Sequence, residues 1–256
     1  MPMKLKISVL IPTYNEAENL KALLPLLSWA EEIIVVDSFS KDLTVAVAES
    51  FDVKVLSRKY DGPAFQKNWA IELATHNWVL IFDADERPTP ELCDEIKKHF
   101  DNGEPMGDAY RIKRRNFFMG REIRFSGWQN DWVTRLIRKD KCRYKNVMVH
   151  EEIECNGKIG QLKSPMLHFT YRDLAHFKAK IERYAKWSAL DYEQKTGNIS
   201  FFHLQLKPAF RFFKHYILKM GFMDGKAGWV ISRLMALGVR KRYQYLQQKR
   251  KSGSWD

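Results

Sequence analysis

The sequence predicts an α/β protein, a mostly parallel sheet flanked by helices, on three observations. Short aliphatic runs alternate with helix-like segments through the first hundred residues. Polar and acidic residues follow the ends of those runs. The 256 residues, 45% of them hydrophobic, suffice for one full α/β core with an appendage.

The elements follow in chain order. "ISVLIP" (7–12) reads as a first strand, and "EAENLKALLPLL" (16–27) as a helix that Pro25 distorts or ends. "EIIVVD" (32–37) is a second strand, "DLTVAVAES" (42–50) a short helix, "VKVLS" (53–57) a third strand, "FQKNWAIELAT" (65–75) a helix and "WVLIFD" (78–83) a fourth strand. This alternation gives a doubly wound sheet, and right-handed crossovers bring the carboxyl ends of its strands to one edge. Thr13, Tyr14, Asn15 and Glu16 follow the first strand, Asp37 and Ser38 the second, and Asp83 and Asp85 the fourth, so they line one crevice. The next helix is marked by Thr89 as N-cap, Pro90 at its first position and Glu91 at the positive end of its dipole. Asp83, Asp85 and Glu86 therefore occupy a strand-to-helix turn, where open α/β sheets place their ligands. An extended segment puts the Asp83 and Asp85 carboxylates on one side, and a bound hard cation relieves their repulsion. The plainer alternative is a solvated acidic loop that only helps to cap the helix.

Composition narrows the function. The formal net charge is +12, and the stretch from Phe201 to Asp256, with seven Lys and five Arg against two Asp, holds +10 of it. Those basic residues are interleaved with Phe, Trp, Tyr, Leu and Ile at helical spacing, as in a helix lying on an anionic membrane. Basic helices packed on the parent domain are the alternative, and no nucleic acid is expected. Cys93, Cys142 and Cys155 are odd in number and form no CxxC, so neither a disulfide framework nor a zinc site is expected, and a reducing compartment fits. The N-terminal apolar stretch is too short for a signal-peptide core, and no run of 18 uncharged apolar residues predicts a membrane span. A dinucleotide enzyme is excluded because the first turn, "PTYNE", lacks GxGxxG, and no P-loop occurs. Phosphatases of the haloacid dehalogenase type carry DxD after their first strand, whereas here it follows the fourth.

"SVLIPTYNEAENL", "EEIIVVDSFSKDLT", "FQKNWAIELAT" and "WVLIFDADERPTPEL", in this order, resemble family 2 glycosyltransferases with the GT-A fold. The similarity is to the branch that includes bacterial lipopolysaccharide core glucosyltransferases. It continues in "RLIRKDKCRYKNVMVHEEI", "LHFTYRDLAHFKAKIERYAKWSA" and "RFFKHYILKMGFMDGKAGWVISRL". One departure stands out, Phe39 where the family's Asp-Ser-Gly-Ser has glycine. The resemblance implies a Rossmann-like GT-A domain over 1–170, with a nucleotide half (1–100) and an acceptor half (101–170). A basic, membrane-associating helical extension then follows over 171–256.

The resemblance also implies residue roles. Pro12, Thr13, Tyr14 and Glu16 border the nucleoside, Asp37 accepts a hydrogen bond from uracil, and Lys67 approaches the nucleotide. Asp83 reaches the ribose or a metal, and Asp85 binds the metal, Mg²⁺ or Mn²⁺, that bridges the phosphates of a UDP-sugar. That metal suits the chemistry, since departure of UDP leaves extra negative charge for a Lewis acid to stabilise. An inverting transferase further needs a base for the acceptor hydroxyl. Glu151 is preferred, with His150 beside it, then Asp131, then Glu152. The expected reaction is hexose transfer to a lipid-linked or lipopolysaccharide glycan precursor, by a cytoplasmic enzyme peripheral to the inner face of the bacterial inner membrane. The alternative is an inactive GT-A domain that serves as a polyanion-binding scaffold.

Overall fold

The computed structural model describes residues 4–101, 103–145, 152–171 and 173–252. They form two compact units. The first comprises residues 1–114 and 131–168, and the second 115–130 and 169–256.

In the first unit, strands β1 (Leu5–Thr13), β2 (Ala30–Asp37), β3 (Lys54–Ser57) and β4 (Trp78–Ile81) alternate with helices α1 (Ala17–Leu23), α2 (Thr44–Glu49) and α3 (Pro63–Glu72). Pro25 does end the first helix, which tightens into a 3₁₀ turn over Leu24–Leu27. β5 (Glu86–Pro88) and α4 (Pro90–Phe100) follow, and the Thr89 hydroxyl accepts the Leu92 N–H at 3.2 Å as the expected N-cap. The remaining strands are β6 (Ala109–Phe118), β7 (Arg121–Ile123), β8 (Trp132–Arg138), β9 (Cys142–Tyr144), β10 (Ile153–Cys155), β11 (Ile159–Gln161) and β12 (Met166–His168).

Among the described residues the main sheet runs β3-β2-β1-β4-β8-β6-β12-β5. β1 to β4 pair in parallel, and β8 pairs antiparallel with both β4 and β6. Each central strand is buried on both faces. Ile7, Val9 and Ile11 face a core shared with α1 and α4, while Leu10, Ile34 and Val36 face a second core built on α3. Two full apolar faces explain why these strands read as unbroken aliphatic runs rather than alternating ones. Register then fixes the functional edge: Thr13 lies opposite Asp37, and Asp37 opposite Ser57.

One sequence expectation is corrected here. Cys142 and Cys155 lie opposite each other in the antiparallel pair β9–β10 and form a disulfide. A separation of 13 residues shows no such pairing until the hairpin register is known.

The second unit is helical, apart from the end of β6 and its partner β7. It contains α5 (Leu174–Tyr192), α6 (Lys207–Phe213) and α7 (Gly225–Ser252), with π-helical turns over Phe202–Leu206 and Lys214–Leu218. Phe118, Ile123, Phe177, Ala227, Ile231 and Leu234 form its core. The buried Asp224 carboxylate accepts the N–H groups of Arg124 at 3.0 Å and Phe125 at 3.1 Å, and the Ser126 hydroxyl at 2.7 Å. "GFMDGKAGW" thus contains the clasp between the β7 hairpin and the turn that starts α7. No described helix is long and apolar enough to cross a membrane.

Candidate active site

The loops after β1 and β2 are latched together. Asn15 takes the left-handed conformation, at φ +55°, that its short amide tolerates. Its N–H donates to Ser40 Oγ at 2.8 Å, and its Oδ1 accepts from Lys41 N at 2.7 Å. Asp37 is buried, and its carboxylate accepts both the N–H of Ser40, at 2.9 Å, and the Ser40 hydroxyl. Asp37 therefore shapes the turn that follows it.

Phe39 takes the left-handed backbone conformation that favours glycine. Its φ is +61°, and 59% of the residue is exposed. A non-glycine residue there costs roughly 1–2 kcal/mol, whereas glycine loses roughly 0.5–1 kcal/mol through unfolded-state entropy. Phe39→Gly is therefore expected to stabilise the protein by about 0.5–1 kcal/mol in urea denaturation; a loss of stability would mean that the ring makes contacts worth more than the strain.

Thr13 is buried, and its hydroxyl has no hydrogen-bond partner among the described residues. The same holds for Gln66 Oε1 on α3, although Gln66 Nε2 donates to Ser38 Oγ at 3.2 Å. Pro12 and Glu16 are partly buried near these groups, and Tyr14 is exposed.

The acidic segment after β4 turns rather than running extended. Glu86 N–H donates to Asp83 O at 2.9 Å, and Asp83 N–H to Glu86 Oε2 at 3.0 Å. The two aspartates consequently have different partners. Asp83 meets Lys67 Nζ at 3.0 Å through one oxygen and the Arg135 guanidinium through the other. Glu86, fully buried, accepts from Arg135 at 2.6 Å and lies 3.4 Å from Arg114. Arg114 grips Asp131 with two hydrogen bonds, at 2.9 and 2.7 Å. Asp131, Arg114, Glu86, Arg135, Asp83 and Lys67 thus form one chain of alternating charge. Burial by itself raises the Asp83 pKa. The charges of Arg135 and Lys67, the Lys67 hydrogen bond and the charge of Arg114 overcome it and hold the carboxyl well below its usual range. Burial likewise disfavours the Arg135 charge, yet Asp83 and Glu86 raise its pKa well above the ordinary value.

Asp85 faces elsewhere. Its Oδ2 lies 3.5 Å from Nε2 of His168, which β12 brings opposite Glu86. Arg87 supports the loop from below, donating to the carbonyls of Ala84 and Glu86 at 2.6 and 2.7 Å and to Asn19 Oδ1 at 2.8 Å. Burial lowers the Arg87 pKa, against the opposing charges of Asp85 and Glu16.

The sequence-predicted residues thus divide. Thr13, Asp37, Lys67, Asp83 and Asp85 come together at one edge of the sheet, as the crossovers imply. The repulsion expected between Asp83 and Asp85 is answered at Asp83 by the protein's own cations. Asp131 has both oxygens on Arg114. Glu152 pairs with Lys145 at 3.0 Å on the surface. Glu151 and His150 lie outside the described residues. Sequence reasoning missed His168 and Arg114, and it placed Glu86 in the turn without its buried ion pairs. "LHF" and "DADER" were the visible signals, but nothing local says which distant residue faces which.

Residues 8–157 match the sequence profile of the family described as glycosyl transferase family 2. An uncharacterized glycosyltransferase of Rickettsia felis is 30% identical over 95% of this chain and 90% of its own length. The lipopolysaccharide core biosynthesis glycosyltransferase LpsC of Rhizobium meliloti is 28% identical over 94% of both chains. Among solved structures, S. aureus TarS 1-349 in complex with UDP-GlcNAc covers 98% of this chain and 93% of its own, at 17% identity and a TM-score of 0.51, and shares the fold.

Proposed function

The chain belongs to glycosyltransferase family 2, and from that premise we propose that it moves a hexose from a UDP-sugar, with inversion and with the help of a divalent cation, to a lipid-linked glycan precursor. The acceptor is of the lipopolysaccharide-core kind, which sets the reaction at the inner face of the bacterial inner membrane. The likeness to LpsC over nearly the whole chain supports this acceptor, and the UDP-GlcNAc held by TarS supports the donor.

One observation carries the reading. Asp85 lies at the carboxyl edge of the sheet with its Oδ2 3.5 Å from His168 Nε2, on the loop that Lys67, Arg135 and Arg114 hold through Asp83 and Glu86. A carboxylate and an imidazole suit Mn²⁺, and Asp85 alone suits Mg²⁺, because such ions take their other ligands from substrate phosphates and water. No group of three His, Cys, Asp or Glu side chains that could hold a metal by itself occurs among the described residues. The bound ion would stabilise the charge that develops on the departing diphosphate.

The chain's own residues do the rest. Thr13 Oγ1 and Gln66 Oε1 are the orphaned polar atoms of the crevice and would accept donors from the nucleoside. Asp37 holds the turn that borders it. Lys67 and Arg135 fix Asp83, and the alternating charge chain keeps the loop rigid beneath Asp85. Asp131 is held by Arg114 and positions it, and Glu151, next to His150 in the sequence, remains the base we propose for the acceptor proton. The family match over residues 8–157, which include Asp37, Asp83, Asp85 and Asp131, favours the enzyme over the scaffold alternative.

Titration calorimetry of UDP tests the reading. In the wild type, Mn²⁺ should tighten UDP binding roughly tenfold or more, about 1.4 kcal/mol. Asp85→Asn should erase that increment and leave metal-free binding unchanged. Metal dependence that survives in Asp85→Asn, or the absence of UDP binding under every condition, overturns it.

A further inference from the structure

We propose that the helix over residues 201–218, with the turn after it, is a docking surface that lies flat on an anionic phospholipid bilayer. The exposed positions of this helix recur in pairs four residues apart: 201 and 202, 205 and 206, 209 and 210, 213 and 214, 217 and 218. All but Gln205 and Lys214 are apolar. Phe201 is 70% exposed, Phe210 61% and Leu218 58%. A soluble helix turns such a stripe inward, and this one turns it out.

The winding of the helix maintains the stripe. An α-helix advances about 100° per residue, so steps of four drift about 40° each, and four steps would carry the stripe nearly halfway round. Here π-helical turns over Phe202–Leu206 and Lys214–Leu218 flank α6. Their slower winding offsets the drift and keeps the apolar pairs on one face. π turns within helices concentrate at functional sites.

The opposite face is anchored. Pro208 is buried, and Lys207 Nζ donates to the Tyr243 hydroxyl on α7 at 2.9 Å. The stripe is therefore the outer face of a packed helix. It continues into exposed Phe222 and Met223. Trp229 follows, half-exposed, with the Arg233 guanidinium 4.5 Å from its ring centre, an aromatic-cation pairing suited to the headgroup level.

Charge selects the partner. Between Glu193 and Asp256 the only acid is Asp224, which is buried and hydrogen-bonded. Arg211, Lys214 and Lys219 lie within or beside the stripe. A second copy of this face would bring like charges together. Nucleic acid has no use for exposed Leu206, Ile217 and Leu218, which cannot stack on bases as aromatic rings do. An anionic bilayer accepts both the apolar stripe and its basic border. The surface stands independently of the transferase reading: vesicle binding by a protein that ignores UDP would leave it intact.

The test is co-sedimentation of the full chain with vesicles of phosphatidylcholine, with and without phosphatidylglycerol. The wild type should bind the anionic vesicles and bind the neutral ones weakly. Lys214→Ala with Lys219→Ala should weaken the anionic binding roughly twenty- to thirty-fold, at about 1 kcal/mol per lysine. Phe210→Glu with Leu218→Glu should lower it by more than about a hundredfold, because two large side chains lose their burial. Phe210→Ser alone, expected to lose about tenfold, keeps the test open if the double variant fails to fold. Unchanged vesicle binding in the stripe variants overturns the proposal, as does a wild type that binds heparin but no vesicle, or a dimer in sedimentation equilibrium that the stripe variants dissociate.

Discussion

Arg135→Met is expected to destabilise the first unit by about 3–5 kcal/mol, the usual cost of removing one partner from a buried ion pair. Glu86 decides the magnitude. It is fully buried, and Arg135 and Arg114 are the cations that meet its carboxylate, Arg114 at the longer distance of 3.4 Å. About a third of the Asp83 side chain is open to solvent, so Asp83 contributes less. Urea denaturation at pH 7 measures the effect, and a loss under about 1 kcal/mol would mean that the guanidinium does not hold Glu86. Acid supplies a second readout. The folded pKa of Asp83 is depressed, so its contribution is fully present above the unfolded value of about 3.9 and is lost as pH falls through the folded value. Arg135→Met removes the largest charge that depresses it. The Asp83-linked fall in stability below about pH 4 should therefore be shallower in the variant than in the wild type.

That charge chain also marks the limit of what the sequence discloses. Strands β1 to β4, the proline break after α1 and the Thr89 cap are legible because each rests on a local signal: an aliphatic run, a missing N–H, a side-chain oxygen one turn from its acceptor. The edge where Thr13, Asp37 and Asp83 gather is legible too, because right-handed crossovers between parallel strands leave little choice. Beyond Glu86 the strands pair mostly antiparallel, and their register comes from partners far along the chain. Arg135 reaches Glu86 across 49 residues and Arg114 across 28. The sequence therefore shows acids after β4 but not their counter-ions, and a metal is the natural inference for Asp83 and Asp85. In the structure Asp83 and Glu86 meet Lys67, Arg135 and Arg114, and Asp85 is where we propose a metal. The Cys142–Cys155 pair was hidden for the same reason. So was the excursion of residues 115–130 into the second unit, since chain order places them within the acceptor half.

Gly228→Ala is expected to destabilise the second unit by about 2–3 kcal/mol, although helix propensity alone argues for a gain of about 1 kcal/mol. Geometry decides between them. A Cβ on Gly228 would lie 1.8 Å from the carbonyl oxygen of Gly221 and 2.7 Å from its carbon, and both are backbone atoms that no rotamer can move aside. The turn cannot retreat either, because an added Cβ on Gly221 would itself come within 2.6 Å of the His215 carbonyl oxygen. Met220 in the left-handed region and the triply bonded Asp224 fix the same few residues. Gly197 is the control: nothing lies within 4 Å of its added Cβ, so Gly197→Ala should change stability by less than about 0.5 kcal/mol. Thermal and urea denaturation of the two variants make the comparison, and a Gly228→Ala protein as stable as Gly197→Ala would disprove the tight crossing. The consequence reaches the membrane surface, because this turn sets the helix with the outward apolar stripe against α7. A variant that spreads the crossing should lose vesicle binding while its UDP titration, which depends on the first unit, stays as in the wild type.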